Sequence, residues 1–496
     1  MKREKALQSP TSIYITTWQA NMPKILSGLA LLLTLPLFSC EDLVETSEVN
    51  VPTENDIKLS VVDLPLEVSN FNIDSLVNTS NNNRTSANKI FFGVDNDANV
   101  GNLNLYAYGS LDLQSSFERN ELIIGSELIE AKLQLGLNDF SGENFLIGQR
   151  IVVQRIVDQF DLVSGESYKL NDSLAVDPEN VSATERIEYS LEALDSLNLI
   201  TVELLLQDDF GNDLLRLLKN EQLSAAEVKS AFPGLAFSIR DNQNQVQSID
   251  LGITNSFLDL VLRNGQDTIT AKFVFNGTSF TGANFEPSGL MPSDYKNNSD
   301  FELNDNESVY YNSLLKTVPR IDINSYITFI DTLKTSLGDT DGSKLLINYA
   351  ELYIENPDLE NIRTSNTAQS VPSSVFPYFV DNDNFVKQGE FFWGIQRNFT
   401  SQGQISDQTS GANPNSLNLV PSDKKLSADI TLFLQELYQN PDLWSSENDI
   451  ILNDQVINLN STPFKLTPNL YIRNYNKVLL KKSDFKLRVY YNTFDK

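Results

Sequence analysis

The chain has 496 residues, of which 37 are Lys or Arg and 66 are Asp or Glu, giving a net charge of −29 with one cysteine and no histidine. An acidic surface of this kind repels nucleic acid and anionic headgroups, so DNA, RNA and electrostatic membrane docking are poor expectations. Without histidine and with a single thiol, Ser-His-Asp triads, Cys-His nucleophiles, internal disulfides and Cys/His zinc sites are excluded, which leaves carboxylate chemistry, Ser-Lys nucleophiles and oxygen-ligated calcium or magnesium.

Residues 1–39 read as a secretory signal. Lys24 leads an apolar run over 25–39, too short for a permanent bilayer span but matched to the apolar region of a signal peptide. Met22-Pro23-Lys24 would begin a compact signal, so the start is expected at Met22. The run ends in Leu37-Phe38-Ser39-Cys40, which looks like a bacterial lipobox. In such a box the cysteine sulfur receives a diacylglyceryl group, the chain is cut just before it, and the new N-terminus is acylated. An ordinary cleaved signal or an uncleaved anchor is the alternative. Two or three acyl chains make attachment persistent, so the expectation is an outer-membrane, lipid-anchored protein with no other cofactor. Without residues 1–39 the chain keeps 33 basic and 65 acidic residues, a net charge of −32.

Residues 40–58 form the lipidated cysteine and an acidic tether, with Glu41, Asp42, Glu45, Glu48, Glu54 and Asp56 and no apolar period. Acidic residues close behind a lipidated cysteine resemble the signal that sends Bacteroidota lipoproteins to the cell surface, with the periplasmic face as the alternative. Two β-rich regions are expected beyond the tether, 59–290 and 291–496. Strands are predicted at 89–92, 103–113, 128–135, 150–157, 200–206, 235–239, 345–354 and 477–480. Leu258, Leu260 and Leu262 alternate up to Asn264-Gly265, and Ile269, Ala271, Phe273 and Phe275 alternate from there to Asn276-Gly277. That pattern predicts a hairpin. Phe485, Leu487, Val489 and Tyr491 share one face of a closing strand.

Helices interrupt the strands. Phe210, Leu214, Leu217 and Leu218 keep helical spacing. Ser224-Ala-Ala-Glu227 is a capping box, stopped by Pro233-Gly234. A helix is predicted over 427–438, ending at Asn440-Pro441, and another over 325–333. The fold class is mainly β, antiparallel and sandwich-like, with a few short helices.

The order of these pieces carries a resemblance. Asp74-Ser75-Leu76, Lys89-Ile-Phe-Phe-Gly93 and Leu128-Ile129-Glu130-Ala131-Lys132-Leu133 resemble the opening of a Bacteroidota lipoprotein family known only as domain of unknown function 4270. Ala231-Phe232-Pro233-Gly234-Leu235-Ala236-Phe237 and Ile347-Asn348-Tyr349-Ala350-Glu351-Leu352 are similar to its middle, and Ala428-Asp429-Ile430 through Leu437, then Lys477-Val478-Leu479, to its close. The resemblance implies a secreted, lipid-anchored, β-rich envelope protein and supplies no activity and no catalytic residues.

Several segments are candidate sites. Asp95, Asp97 and Asn99 place side-chain oxygens at alternate positions as calcium loops do, but the glycine comes one place late and Tyr106 stands where the bidentate glutamate belongs. An acidic turn is the competing reading. Five Asp-Ser/Thr-aliphatic triplets, with hydroxyls at Ser75, Ser173, Ser196, Thr268 and Thr332, resemble the O-glycosylation sequon of Bacteroidota secreted proteins. Phe391, Phe392 and Trp393, near Tyr378 and Phe379, and Trp444 further on, could offer a sugar platform or pack as core. The functional expectation is a non-enzymatic scaffold or interaction module with an envelope protein as partner. The alternatives are a surface glycan-binding lipoprotein and a carboxylate glycosidase, which needs two facing acids about 5 to 9.5 Å apart.

Overall fold

A computed structural model describes residues 57–72, 77–78, 89–97, 100–115, 121–143, 148–161, 168–189, 199–240, 244–292, 300–315, 317–340, 342–355, 367–368, 372, 374–381, 384–385, 417–420, 425–439, 448–453, 470–471 and 475–494. The fold is mostly antiparallel β with a few short helices, as the alternation predicts.

Six strands close on themselves. In pairing order they are Lys89–Asp97, Gly101–Leu113, Asp267–Pro287, Phe257–Asn264, Glu127–Glu143 and Gln245–Asp250, the last returning to the first. Each step is antiparallel, and Phe257–Asn264 and Gln245–Asp250 pair one after the other along a single edge of Glu127–Glu143. Gly234–Ile239, Ile151–Ile156 and Val176–Asn180 extend one flank, and Ile200–Leu205 pairs along the other edge of Glu127–Glu143. The interior collects Leu133, Leu135, Leu258, Leu260, Leu262, Ala271 and Phe273. These residues come from the period-two positions, so alternation and burial agree. Helix Asp208–Lys219 contributes Leu214, Leu215 and Leu218 to the same barrel core, and Phe232 joins them just after helix Ala225–Ala231. The Ser224 capping box forms as predicted: Ser224 Oγ accepts from the Glu227 amide, and the Glu227 carboxylate accepts from the Ser224 amide.

The second sheet system doubles over. Ile57–Pro65, Phe485–Phe494, Leu345–Glu355, Lys425–Asp429 and Leu417–Val420 pair in that order. Ser374–Asp381 then carries the pairing over to Asn448–Asn453, Thr317–Asp322, Ser308–Asn312 and Lys477–Lys481. Leu352, Leu426 and Leu487 of the first run meet Val318, Ile321 and Ile451 of the second in one core, so the two runs form a sandwich. Helices Asn324–Leu337 and Thr431–Gln439 pack into it, and the Tyr326 hydroxyl donates to the Leu434 carbonyl at 2.7 Å. Ile57–Pro65 and Glu67–Asn72 pair within this sandwich, so the sheets do not divide in the chain order of the expected regions 59–290 and 291–496. Periodicity marks a strand but does not name its partner.

Two local expectations are corrected. Asn276-Gly277 does not end its strand. Asp267–Pro287 continues through it with a register shift between Phe275 and Ser279, and Gly277 adopts φ 118° there. The first pair, Asn264-Gly265, does turn, with Gly265 at φ 62°. An Asn-Gly pair therefore serves as a hairpin turn in one place and a bulge in the other, since both need positive φ. The helix predicted from 427 begins later. Lys425–Asp429 is a strand with Leu426 and Ala428 facing the core, and the Asp429 carboxylate accepts from the Thr431 amide at 2.9 Å to open the helix.

A further apolar cluster joins barrel to sandwich: Phe91, Leu103, Leu105 and Val246 pack with Met291, Leu303, Tyr310, Leu314 and Tyr475. Outside the barrel, Phe280 lies stacked between Tyr108 and Tyr168 with centroids at 4.7 and 4.0 Å, which fixes the segment around Tyr168 to the wall.

Candidate functional site

A groove of about 610 Å³ opens beside the capping-box helix. The end of Gly101–Leu113 supplies Leu111, Asp112 and Leu113, and the helix supplies Ala225, Ala226, Val228 and Lys229. Gln114, Ser115, Phe232, Ile253, Phe273, Val274 and Asn276 also line it. Strand alternation explains the arrangement: Leu111 points to the barrel core, while Asp112 points outward and meets Lys229 Nζ at 2.6 Å. Ser110, also outward, is fully buried, and its hydroxyl has no hydrogen-bond partner. A β-carbon at Gly277 would lie 3.3 Å from that hydroxyl and 3.2 Å from Lys229 Nζ. The bulge thus sets Gly277 between the Ser110 hydroxyl and Lys229.

Among the described residues the wall carries one carboxylate, Asp112, where a glycosidase needs two facing acids. Lys229 is engaged by Asp112 and not by the Ser110 hydroxyl, so this pair does not make a Ser-Lys nucleophile. Apolar walls with one ion pair suit a ligand having an apolar body and a polar end.

The calcium candidate takes another form. Lys89–Asp97 runs as a strand through Asp95, which is buried and not in a loop. The Tyr475 hydroxyl donates to Asp95 Oδ2, and Lys477 Nζ lies 2.8 Å from Asp95 Oδ1 and 3.6 Å from Asp97 Oδ2. Asp97 Oδ1 accepts from the Val100 amide at 3.3 Å. Burial first, then the Asp95 charge, holds the Tyr475 hydroxyl well above the ordinary tyrosine range, so it remains a donor. Asp95 is therefore spent on tying the barrel to the sandwich, and a cation already sits on it. Asn99 lies outside the described residues. Among the described residues no group of three His, Cys, Asp or Glu side chains is arranged to hold a metal.

Of the sequon hydroxyls, Ser173, Thr268 and Thr332 are exposed. Ser173 follows a turn in which the Lys169 amide donates to the Asp172 carboxylate at 2.7 Å. Thr268 begins its strand opposite Arg263, and Thr332 Oγ1 donates to the Thr328 carbonyl at 2.8 Å on a helix. Ser75, Ser196, Cys40, Phe391, Phe392, Trp393 and Trp444 lie outside the described residues, as do the side chains of Tyr378 and Phe379 in Ser374–Asp381.

Two features have no sequence signal of their own. In the barrel, Tyr189 shares its hydroxyl proton between the side-chain carbonyl oxygens of Gln149 and Gln247, at 2.9 and 2.8 Å, and burial pushes its pKa up. In the sandwich, Tyr349 and Tyr490 sit opposite each other on adjacent strands with ring centroids 5.9 Å apart. The alternation of each strand was readable, but not the register that joins them.

Among the described residues no helix is long and apolar enough to cross a membrane. Comparison with protein-family models, with curated proteins and with solved structures finds no match.

Proposed function

We propose that the chain is an outer-membrane lipoprotein, held through acylated Cys40, that serves as a non-enzymatic scaffold or interaction module of the cell envelope. The observation that carries this reading is the position of the sole cysteine at the end of the apolar run 25–39, directly before an acidic stretch. The ordered resemblance to the Bacteroidota lipoprotein family supports it. So does the missing histidine, which removes the commonest general base. A groove with a single carboxylate is consistent with binding in place of hydrolysis.

Metabolic labelling with a fatty-acid analogue tests the anchor. Wild type is expected to take up label and Cys40→Ala to lose it; equal labelling of the two overturns the reading. Crosslinked pull-down from intact envelopes then tests the interaction role, with a stable envelope partner as the expected outcome.

A further inference from the structure

We infer that the outer face of the sandwich sheet formed by Ile57–Pro65, Phe485–Phe494, Leu345–Glu355 and Lys425–Asp429 is a binding site for a neutral oligosaccharide. This goes beyond the anchor reading and does not depend on it. Alternation sends Lys486, Arg488, Tyr490 and Asn492 outward from the closing strand. On its neighbour a register shift between Ile347 and Tyr349 sets Tyr349, Glu351 and Tyr353 outward opposite Tyr490, Arg488 and Lys486. The row from Asn492 to Lys486 spans roughly 20 Å at about 3.3 Å per residue, enough for several sugar units.

Three observations point to the ligand. First, Tyr349 is 39% exposed and its ring stands 5.9 Å from that of Tyr490, a pair of amphipathic rings on an otherwise flat sheet. Second, the face holds orphaned polar atoms of both kinds. Tyr353 is 2% exposed, bracketed by Lys425 and Arg488, and its hydroxyl has no partner; the carbonyl oxygen of Asn492 is likewise buried without one. Burial raises the Tyr353 pKa, so the hydroxyl keeps its proton as a donor. Buried polar atoms left unpaired cost free energy, and a ligand that pairs them recovers it. Third, every cation of this row is already neutralised. Arg488 grips Asp63 in a two-pronged contact at 2.6 and 2.9 Å, Lys425 meets Glu351 at 2.9 Å, and Lys486 pairs with Glu355.

A face with paired charges has no pull on an anion. Pyranose units supply C–H groups to aromatic rings and hydroxyls that both donate and accept, so different units of one oligosaccharide match Tyr353 and Asn492 at the two ends of the row. Phe485–Phe494 and Leu345–Glu355, which carry the tyrosine pair, are paired on both sides, so a peptide strand cannot add beside them.

Affinity electrophoresis of the full chain tests the site, in gels cast with β-glucan, xylan, galactomannan or glycogen and with dextran sulfate as the anionic comparison. Retardation by at least one neutral polysaccharide is expected, about tenfold weaker for Tyr349→Ala/Tyr490→Ala and unchanged for Arg216→Ala on the exposed side of helix Asp208–Lys219. Tyr353→Phe removes only a hydroxyl with no partner in the free protein, so it keeps the thermal midpoint and is expected to weaken retardation severalfold. Absence of retardation by all four neutral polymers, retardation by dextran sulfate alone, or unchanged retardation of both the tyrosine double variant and Tyr353→Phe overturns the proposal.

Discussion

The barrel and the sandwich are built from the same antiparallel strands but close in different ways. The barrel returns its pairings to their starting strand around an aliphatic and aromatic core, and ion pairs cross its strands, Lys89 with Asp139 at 2.8 Å and Lys132 with Glu203 at 3.3 Å. The sandwich has a comparable apolar core and likewise ties strands across its surface with charge. Arg320 on Thr317–Asp322 reaches Asp300 at 2.6 Å and also pairs with Asp449 of Asn448–Asn453. The barrel pairings return to the strand they start from, whereas the sandwich sheet runs from Ile57–Pro65 to Lys477–Lys481 and must hold its doubled layers in register.

This contrast can be broken by paired substitutions. Arg320→Ala strands the half-buried Asp449 carboxylate without its cation and is expected to cost about 3–5 kcal/mol, while Leu260→Ala opens a cavity in the barrel at about 2–5 kcal/mol. Hydrogen exchange should lose protection over 300–494 in the first variant and over 89–287 in the second. Loss across both regions in both variants would show that barrel and sandwich unfold as one unit.

A smaller effect is expected at the junction. Tyr475→Phe removes the hydroxyl that Asp95 accepts, leaving Lys477 on the carboxylate, at about 1–3 kcal/mol. Exchange should rise in 89–97 and 475–481 before either core, and unchanged exchange there would deny the junction its role.

The smallest effect is pH-dependent. Asp259 on the barrel wall has its pKa raised above 3.8, chiefly by burial, against the pull of Lys272. A raised carboxylate binds protons more readily in the folded state, so its contribution to stability falls as pH rises from 3.8 through the folded value. Asp259→Asn is expected to be more stable than wild type at pH 7 by about 0.5 kcal/mol or less, with the gap closing near pH 3.8. A gap that widens on acidification would reverse the assignment.

Much of the strand inventory was legible because alternation is local. Phe485, Leu487 and Val489 are buried in the order read from the sequence, and the Ser224 to Glu227 box needs only four residues. Pairing is not local, so ring closure between Gly101–Leu113 and Asp267–Pro287 left no pattern to read. Asp95 shows the cost: its neighbours in sequence suggest a calcium loop, while the residues that claim it lie some 380 positions later. The tyrosine pair was hidden for a related reason, since the shift at Ile347 breaks the period that would have put Tyr349 on the core side. The Asp429 cap was a missed local signal, outweighed by the apolar helical spacing after it.

The pairing of Ile57–Pro65 with Phe485–Phe494, reinforced by Asp63 and Arg488 across 425 positions, sets an order of assembly. During synthesis or export from the N-terminus, every strand of the closed barrel is present once Pro287 has emerged. The first sandwich strand, made before any of them, must wait for Phe485–Phe494. Completion of the sandwich thus comes after that of the barrel, and a chain stopped short of Phe485 would carry a finished barrel with Ile57–Pro65 left without its partner strand.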